Sequence, residues 1–472
     1  MDNRQQIGHS LIRTDDITIG DRSTRFSSVI FLILCIVPVF STILFGAVDI
    51  TTWIFISIFW AAIVLLWLAE AWKTGGILVN PSALQIPLAG LILIGLIQLL
   101  PWGGGGDQIG IAVSHALSLD PYSTRFFVIR LVVYLVFFAA CLTFINNEAR
   151  LKKAVVTAII FGSTMAFYGI LQRLANPDGI YGVRATPQAI PFGPFVNQHH
   201  FAAFMQMTGG LTLGLLLGRK AEREKKVLYA TAFVIMGAAA VLTSSRGGLL
   251  GFVAMVAFVT VLNFVSGRWS GETGPDAGSA STAQRKVVLA ASGVALILVI
   301  FCVVLFLGGN DALLRGTGVT NASNDLTTGR SHFWPVAISI FLEHPVIGAG
   351  FDAFGVAFTK FDSWNGLLRV EQAHNEYLQT LADSGLAGFI CIAAFIYFLF
   401  RGGLATIVKA TGFRQEAAIG ALAGCFGILV HSFFDFPLRT PSNAFFFLLL
   451  CAIATVPVGV TPEKSRRQPS PI

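Results

Sequence analysis

Arg246 in TSSRGG, Arg330 in TGRSHFW and His374 in EQAHNEYLQ are the residues of this chain best suited to work on a phosphorylated, hydroxyl-bearing substrate. A guanidinium is a planar fork that matches phosphate oxygens bidentately. An arginine at the edge of hydrocarbon is expensive unless it is paired or bound to an anion. Two of them, with a helix N-terminus that itself favours anions, make a candidate clamp for a diphosphate; the alternative for each is snorkelling to lipid headgroups. A histidine side chain titrates near neutrality, at about 6.5 when unperturbed, so it can take a proton from a hydroxyl and turn it into a nucleophile. Read as a helix, residues 371–385 put His374, Tyr377, Leu378 and Leu381 on one face by the i, i+3, i+4, i+7 rule. Asn375, Glu376 and Gln379 flank that face, and Glu371 and Glu376 are the acids that could orient the ring. The alternative is a structural histidine on an apolar face.

Two further stretches add polar groups. In GPFVNQHHFAAF, residues 193–204, Asn197, His199 and His200 could hydrogen-bond sugar hydroxyls or satisfy a helix cap. The two histidines would point about 100° apart on a helix, which makes them a poor metal pair. In HSFFDFPLRTPSN, residues 431–443, His431 and Asp435 are candidate substrate contacts, and Asp435 and Arg439 could equally form an ion pair. Cys35, Cys141, Cys302, Cys391, Cys425 and Cys451 show no ligand-type spacing, so neither a disulfide framework nor a metal or cofactor site is expected. The GGGG at 103–106 has no strand before it and no Lys-Ser/Thr helix after it; it is a turn, not a phosphate cradle.

The elements that must position these groups are apolar. Of 472 residues 54% are hydrophobic and 12% charged, about half the charged share of an ordinary soluble domain. The composition predicts an all-α membrane protein with about twelve spans, since each needs about 20 mostly apolar residues. They fall near 27–47, 51–69, 83–101, 126–145, 154–171, 199–217, 227–243, 247–265, 287–307, 386–400, 417–433 and 444–460. A polytopic membrane domain thus occupies 27–460, between polar tails at 1–26 and 461–472, with an uncleaved first span.

With both tails inside, the inner segments hold 22 of the 32 Lys and Arg residues, the sign expected when cytoplasmic loops are positive. GRKAEREKK at 218–226 is the strongest anchor, and 266–286 is a Gly/Ser/Ala-rich cytoplasmic linker. Arg130 lies within a span. The net charge of +7 then reflects orientation and anionic membrane lipids rather than nucleic acid. The polar weight gathers outside, in 102–125, 172–198 and the long segment 308–385. Seven of the eight histidines fall in outer segments or at outer span ends. The long loop is expected to be partly helical: 326–345 carries capping residues and apolar positions at helical spacing, 346–354 is a glycine-bearing turn, and 371–385 is a second amphipathic helix.

The order FVNQHHFAAF, LTSSRGG, TGRSHFWPVAISIFLEHPVIGAGFDAF, AHNEYLQTLADSGLAGF and HSFFDF, with a large outer loop before the last three spans, resembles the O-antigen ligase and polymerase superfamily. The likeness runs from about 118 to 450 and is strongest over the core at 193–390. It implies transfer of a glycan from undecaprenyl diphosphate to an acceptor hydroxyl at the periplasmic face of the bacterial inner membrane, without nucleotide sugar or metal. By that resemblance Arg246 and Arg330 bind and stabilise the departing diphosphate and His374 is the base, giving direct displacement with inversion. Asn197, His199, His200, Asn375, His431 and Asp435 would contact substrate; the family often has Asn where this chain has His199. The acceptor could be another lipid-linked repeat unit, lipid A core or a protein hydroxyl. A competing class is a small-solute or inorganic-carbon transporter, which should carry ionisable residues and broken helices at mid-membrane.

Overall fold

The computed structural model describes residues 24–103, 115–175, 179–187, 189–218, 222–269, 329–364 and 369–458. The expected ninth span, the start of the long loop at 308–328, most of the 266–286 linker, residues 1–23 of the first tail and the second tail lie outside the described residues. Within them the protein is helical. The helices are α1 (Arg25–Ile43), α2 (Ile50–Thr74), α3 (Gln85–Gln98), α4 (Pro121–Phe144), α5 (Glu148–Ala175), α6 (Gln198–Leu216), α7 (Arg223–Leu242), α8 (Arg246–Trp269), α9 (Arg330–Glu343), α10 (Phe354–Phe361), α11 (Glu376–Lys409), α12 (Phe413–His431) and α13 (Pro441–Thr455). Eight are long and apolar enough to cross a membrane, and α3 and α13 are shorter apolar helices. The chain is therefore an all-α, multi-pass membrane protein. Each expected span other than the ninth falls on a helix.

Local sequence explains where helices begin. Thr24 accepts from Ser27 N at 3.1 Å to cap α1. Asp120 caps α4 through Ser123 N at 3.1 Å, with Pro121 at the first helical position, where no amide hydrogen is needed. At the centre, α6 is buried along nearly its whole length. Gly210 and Gly214 face Gly420 and Gly424 of α12 so closely that a Cβ on Gly214 would lie 2.6 Å from Gly420 Cα. Small residues let two backbones meet in this way, and the dispersion gained helps to hold helices together in lipid. By contrast α2 leaves Ile54, Phe55, Ile58 and Leu65 exposed, an apolar face suited to lipid.

The element that shapes the polar end is α11, which the sequence reading divided into an amphipathic helix and a short span. It is one run broken at Gly385, whose φ of 61° and ψ of −162° are not helical. Loop 345–350 fills the break. Ala349 N donates to Ala382 O at 2.8 Å, Gly350 N to Asp383 O at 3.1 Å, and Leu386 N to Pro345 O at 2.8 Å. From α3, Gln98 Nε2 reaches Asp383 O at 2.8 Å while its Oε1 accepts from Phe351 N at 3.0 Å. A side chain at Gly385 would put Cβ 2.5 Å from the Val346 carbonyl. The break thus needs glycine, and the carbonyls it frees are satisfied by protein, as buried backbone requires.

One local expectation is corrected here. His374 is not on a helix face: α11 begins at Glu376, because Asn375 accepts from Tyr377 N at 3.0 Å and Leu378 N at 3.1 Å and stops the helix there. The expected glycine-bearing turn at 346–354 is present, and its last residue, Phe354, opens α10.

Candidate active site at one end of the bundle

The polar residues meet where α6, α8, α9 and α11 start and α12 ends, the end expected to face outward. Three successive residues after α12 organise it: Phe434, Asp435 and Phe436. Asp435 is 1% exposed. Its Oδ1 lies 3.3 Å from His374 Nδ1, and its Oδ2 lies 3.9 Å from His199 Nδ1. Burial alone would raise the Asp435 carboxyl, but the imidazoles of His374, His199 and His200 outweigh it and hold the group well below the ordinary carboxylate range. The carboxylate is a permanent anion at the back of the site.

His374 has a left-handed backbone, φ 51°, a conformation costing a non-glycine residue roughly 1–2 kcal/mol. Its ring is held between Phe333, stacked at 6.0 Å, and Phe436, edge-on at 4.9 Å. Nδ1 is buried against Asp435. A carboxylate on that side favours a proton on Nδ1, which leaves the Nε2 lone pair to receive one. Behind the ring, the fully buried Gln379 accepts from Ala373 N at 2.5 Å, and Glu376 N donates to Ser432 O at 2.9 Å. Ser244 and Asp352 also carry left-handed backbones, φ 56° and 59°, so strain is concentrated around this end.

Arg330 is the first residue of α9, after Gly329 with φ 88°. Its Nε and Nη2 donate to Phe434 O at 3.0 and 2.8 Å, so its fork is fixed against the residue next to Asp435. Arg246 opens α8 and is exposed. The glycine after it is required by contact: a Cβ on Gly247 would lie 2.8 Å from Phe434 Cβ and 3.0 Å from His431 Cδ2. Ser245 Oγ accepts from Gly248 N at 3.0 Å and pairs with His199 Nδ1 at 2.8 Å. His199 is consequently within electrostatic reach of Arg246, Arg330 and His374 together.

The other sequence candidates take supporting positions. Asn197 caps α6 through His199 N at 2.8 Å, and Asn375 caps α11, so both Oδ1 atoms are engaged. His200 points away from His199, with Nδ1 2.5 Å from Thr440 Oγ1. His431 is wholly buried beneath Gly247, 3.3 Å from Gln206 Nε2. Neither suggested acid orients His374: Glu371 pairs with Arg369 at 2.5 Å and Glu376 approaches Arg439 at 3.7 Å. Nor does Arg439 pair with Asp435. Its Nη2 meets Asp383 Oδ2 at 2.6 Å and its Nη1 meets Asp352 Oδ1 at 3.2 Å. Asp352 in turn faces Arg130 at 3.9 Å. Sequence reasoning missed this second cluster, although a charged residue inside a span, Arg130, was the signal that a partner must exist.

The segment bearing Arg246, Arg330 and His374 is also where the chain is similar to known proteins. Residues 231–393 match the family described as O-antigen ligase. That match covers about a third of the chain, over which the chain is similar to the O-antigen ligase family. Over 180 residues it is 25% identical to the exopolysaccharide production protein ExoQ of Rhizobium meliloti (strain 1021), a stretch covering 35% of this chain and 38% of that protein. Asp435, Phe436 and Arg439 lie beyond the O-antigen ligase match, so that match covers the arginines and the histidine but not the carboxylate behind them.

Proposed function

We propose that this protein transfers a glycan from undecaprenyl diphosphate to an acceptor hydroxyl at the periplasmic face of the inner membrane, by an inverting, metal-independent displacement. The observation that carries the reading is the buried Asp435 carboxylate 3.3 Å behind His374, with Arg330 fixed on the adjoining carbonyl of Phe434. In this mechanism the acceptor O–H gives its proton to His374 Nε2 as its oxygen attacks the anomeric carbon. The bond from that carbon to the phosphate oxygen breaks, and its electron pair leaves with undecaprenyl diphosphate. Arg246 and Arg330, each at the start of a helix, stabilise the charge that develops there. Asp435 stabilises the imidazolium that forms.

A lipid-linked repeat unit or lipid A core is the favoured acceptor, which makes the protein a polysaccharide polymerase or ligase; protein O-glycosylation is the runner-up. The similarity to ExoQ, named for exopolysaccharide production, supports the first pair. Transport is disfavoured by the break in α11: the carbonyls of Ala382 and Asp383 already accept hydrogen bonds from Ala349, Gly350 and Gln98, so they are not a vacant ion-coordinating ring. The test is to give purified protein a lipid-linked repeat unit alone, then with lipid A core, then with an acceptor protein, and to size the products. A ladder from the donor alone identifies a polymerase, and product only with lipid A core identifies a ligase. Intact protein that binds donor and transfers nothing under any condition would overturn the transferase reading.

A further inference from the structure

Phe436 also lines a cavity of about 190 Å3 that does not include Arg246 or Arg330 among its walls, which are formed among others by Phe127, Arg130, Asp352, Gln372 and Arg439. That is below the roughly 300–1,000 Å3 of pockets for drug-sized ligands, so it suits one ring rather than a chain. Its charges do not favour an anion. Arg439 is matched by Asp383, Asp352 and Glu376, and Arg130 faces Asp352. What the walls offer is acceptors and donors side by side, with the rings of Phe127 and Phe436 as apolar faces. Alternating hydroxyls over an apolar ring face are the chemistry of a neutral saccharide.

Three polar atoms of the lining residues make no hydrogen bond to protein, and of these only Arg439 Nε has an ion-pair neighbour, Glu376 at 3.7 Å. His200 is 7% exposed and also lines the cavity; its Nδ1 is held by Thr440, and its Nε2 is buried without a hydrogen bond. Gln372 Oε1 is likewise buried and unpartnered. Buried polar atoms normally find partners, and a ligand hydroxyl could serve both. The cavity also adjoins the base, because the Phe436 ring that forms its wall lies 4.9 Å from His374 and 5.0 Å from His200.

We propose that this cavity is a saccharide subsite, holding a sugar ring of the acceptor one ring's width from His374. That it serves the acceptor rests on the transferase reading; that it binds a saccharide does not. The sequence Phe434–Asp435–Phe436 sets the order: the arginine fork lies at Phe434, the base at Asp435 and the sugar at Phe436. The donor diphosphate and the acceptor thus approach His374 from opposite sides.

The experiment uses the full-length protein in detergent, with methyl glucoside, galactoside, mannoside and N-acetylglucosaminide as probes and inorganic pyrophosphate as the comparison, read by saturation-transfer NMR. At least one glycoside should bind, and Gln372→Ala or Asp352→Asn should weaken it about tenfold or more, the effect of losing one or two hydrogen bonds. Val48→Trp, which fills the mouth from another lining position without removing a polar group, should exclude the glycoside; gel filtration checks that each variant is folded. Pyrophosphate binding should depend on Arg246 and not on Gln372. Absence of glycoside binding, binding unaffected by Gln372→Ala and Val48→Trp, or pyrophosphate binding lost in Gln372→Ala would each overturn the subsite. In turnover, Gln372→Ala should raise KM for acceptor with kcat little changed, and a rise confined to donor KM would overturn its assignment to the acceptor. If no glycan transfer is found while glycosides bind as described, the transferase reading fails and the saccharide subsite stands.

Discussion

His374 Nδ1 lies 3.3 Å from Asp435 Oδ1 although 61 positions separate the two residues in the chain. The carboxylate is buried and the ring is only half-buried, so the pair presents one nitrogen to the acid and leaves the other for substrate. His374→Ala should lower turnover by about 10²–10⁴, the usual worth of a general base, while donor binding by titration stays near wild type. Unimpaired turnover would remove His374 from the chemistry.

Asp435→Asn tests the carboxylate separately. An amide cannot stabilise the imidazolium that forms on His374 as a buried carboxylate does, so the variant should lower kcat by about 10²–10⁴ with donor binding near wild type. Because Asp435 is held well below the ordinary carboxylate range, its own titration adds no limb to the wild-type pH–rate curve. Wild-type turnover in Asp435→Asn would disconnect Asp435 from the base.

For the arginines, charge alone should not suffice. Arg330→Lys loses the two-point anchor on Phe434 O, and neither lysine can reproduce a bidentate fork on phosphate. Each single variant should lower kcat by about 10²–10³, the typical cost of one donor that stabilises developing charge, in protein that still inserts in the membrane. Near-normal rates in both would dismiss the clamp.

Arg439→Gln should act on stability. The Arg439 side chain is 10% exposed and that of Asp383 0%, so the variant leaves a buried acid without its cation. Breaking such a pair costs roughly 3–5 kcal/mol, which thermal unfolding in detergent would register as a large drop in midpoint. A shift within error would mean that water reaches Asp383.

Orientation is checked by cysteine labelling in a background without native cysteines. A cysteine at Val183, which is 80% exposed, should react with an impermeant thiol reagent from outside the cell, and one at Lys225 should not. The reverse pattern would put the site on the cytoplasmic side and end the periplasmic reading.

Much of the architecture was legible because it rests on local rules: apolar length gave the spans, and Asn197, Asp120 and Asn375 are helix starters by residue type. The arginines and His374 stood out because charge and imidazole are rare in so apolar a chain. What was not legible depended on long-range pairing. Nothing near His374 names Asp435 as its acid, and the nearer Glu371 and Glu376 were plausible by distance in sequence alone. The heptad-like pattern of His374, Tyr377, Leu378 and Leu381 also suggested that the helix began earlier. Asn375 was the competing signal, and its capping bonds prevailed. Likewise the role of Gly385 could not be read without loop 345–350, whose backbone occupies the space that a Cβ would need.

Phe434, Asp435 and Phe436 each serve a different neighbour: a carbonyl for Arg330, a carboxylate for His374 and a ring shared with His200. A site built on adjacent positions is indexed by the spacing of the chain as much as by side-chain identity. Slipping this segment by one residue would set a phenyl ring where the anion stands and carry the anion to the aromatic wall. Point changes here weaken one partner at a time, whereas a single-residue insertion or deletion misassigns all three.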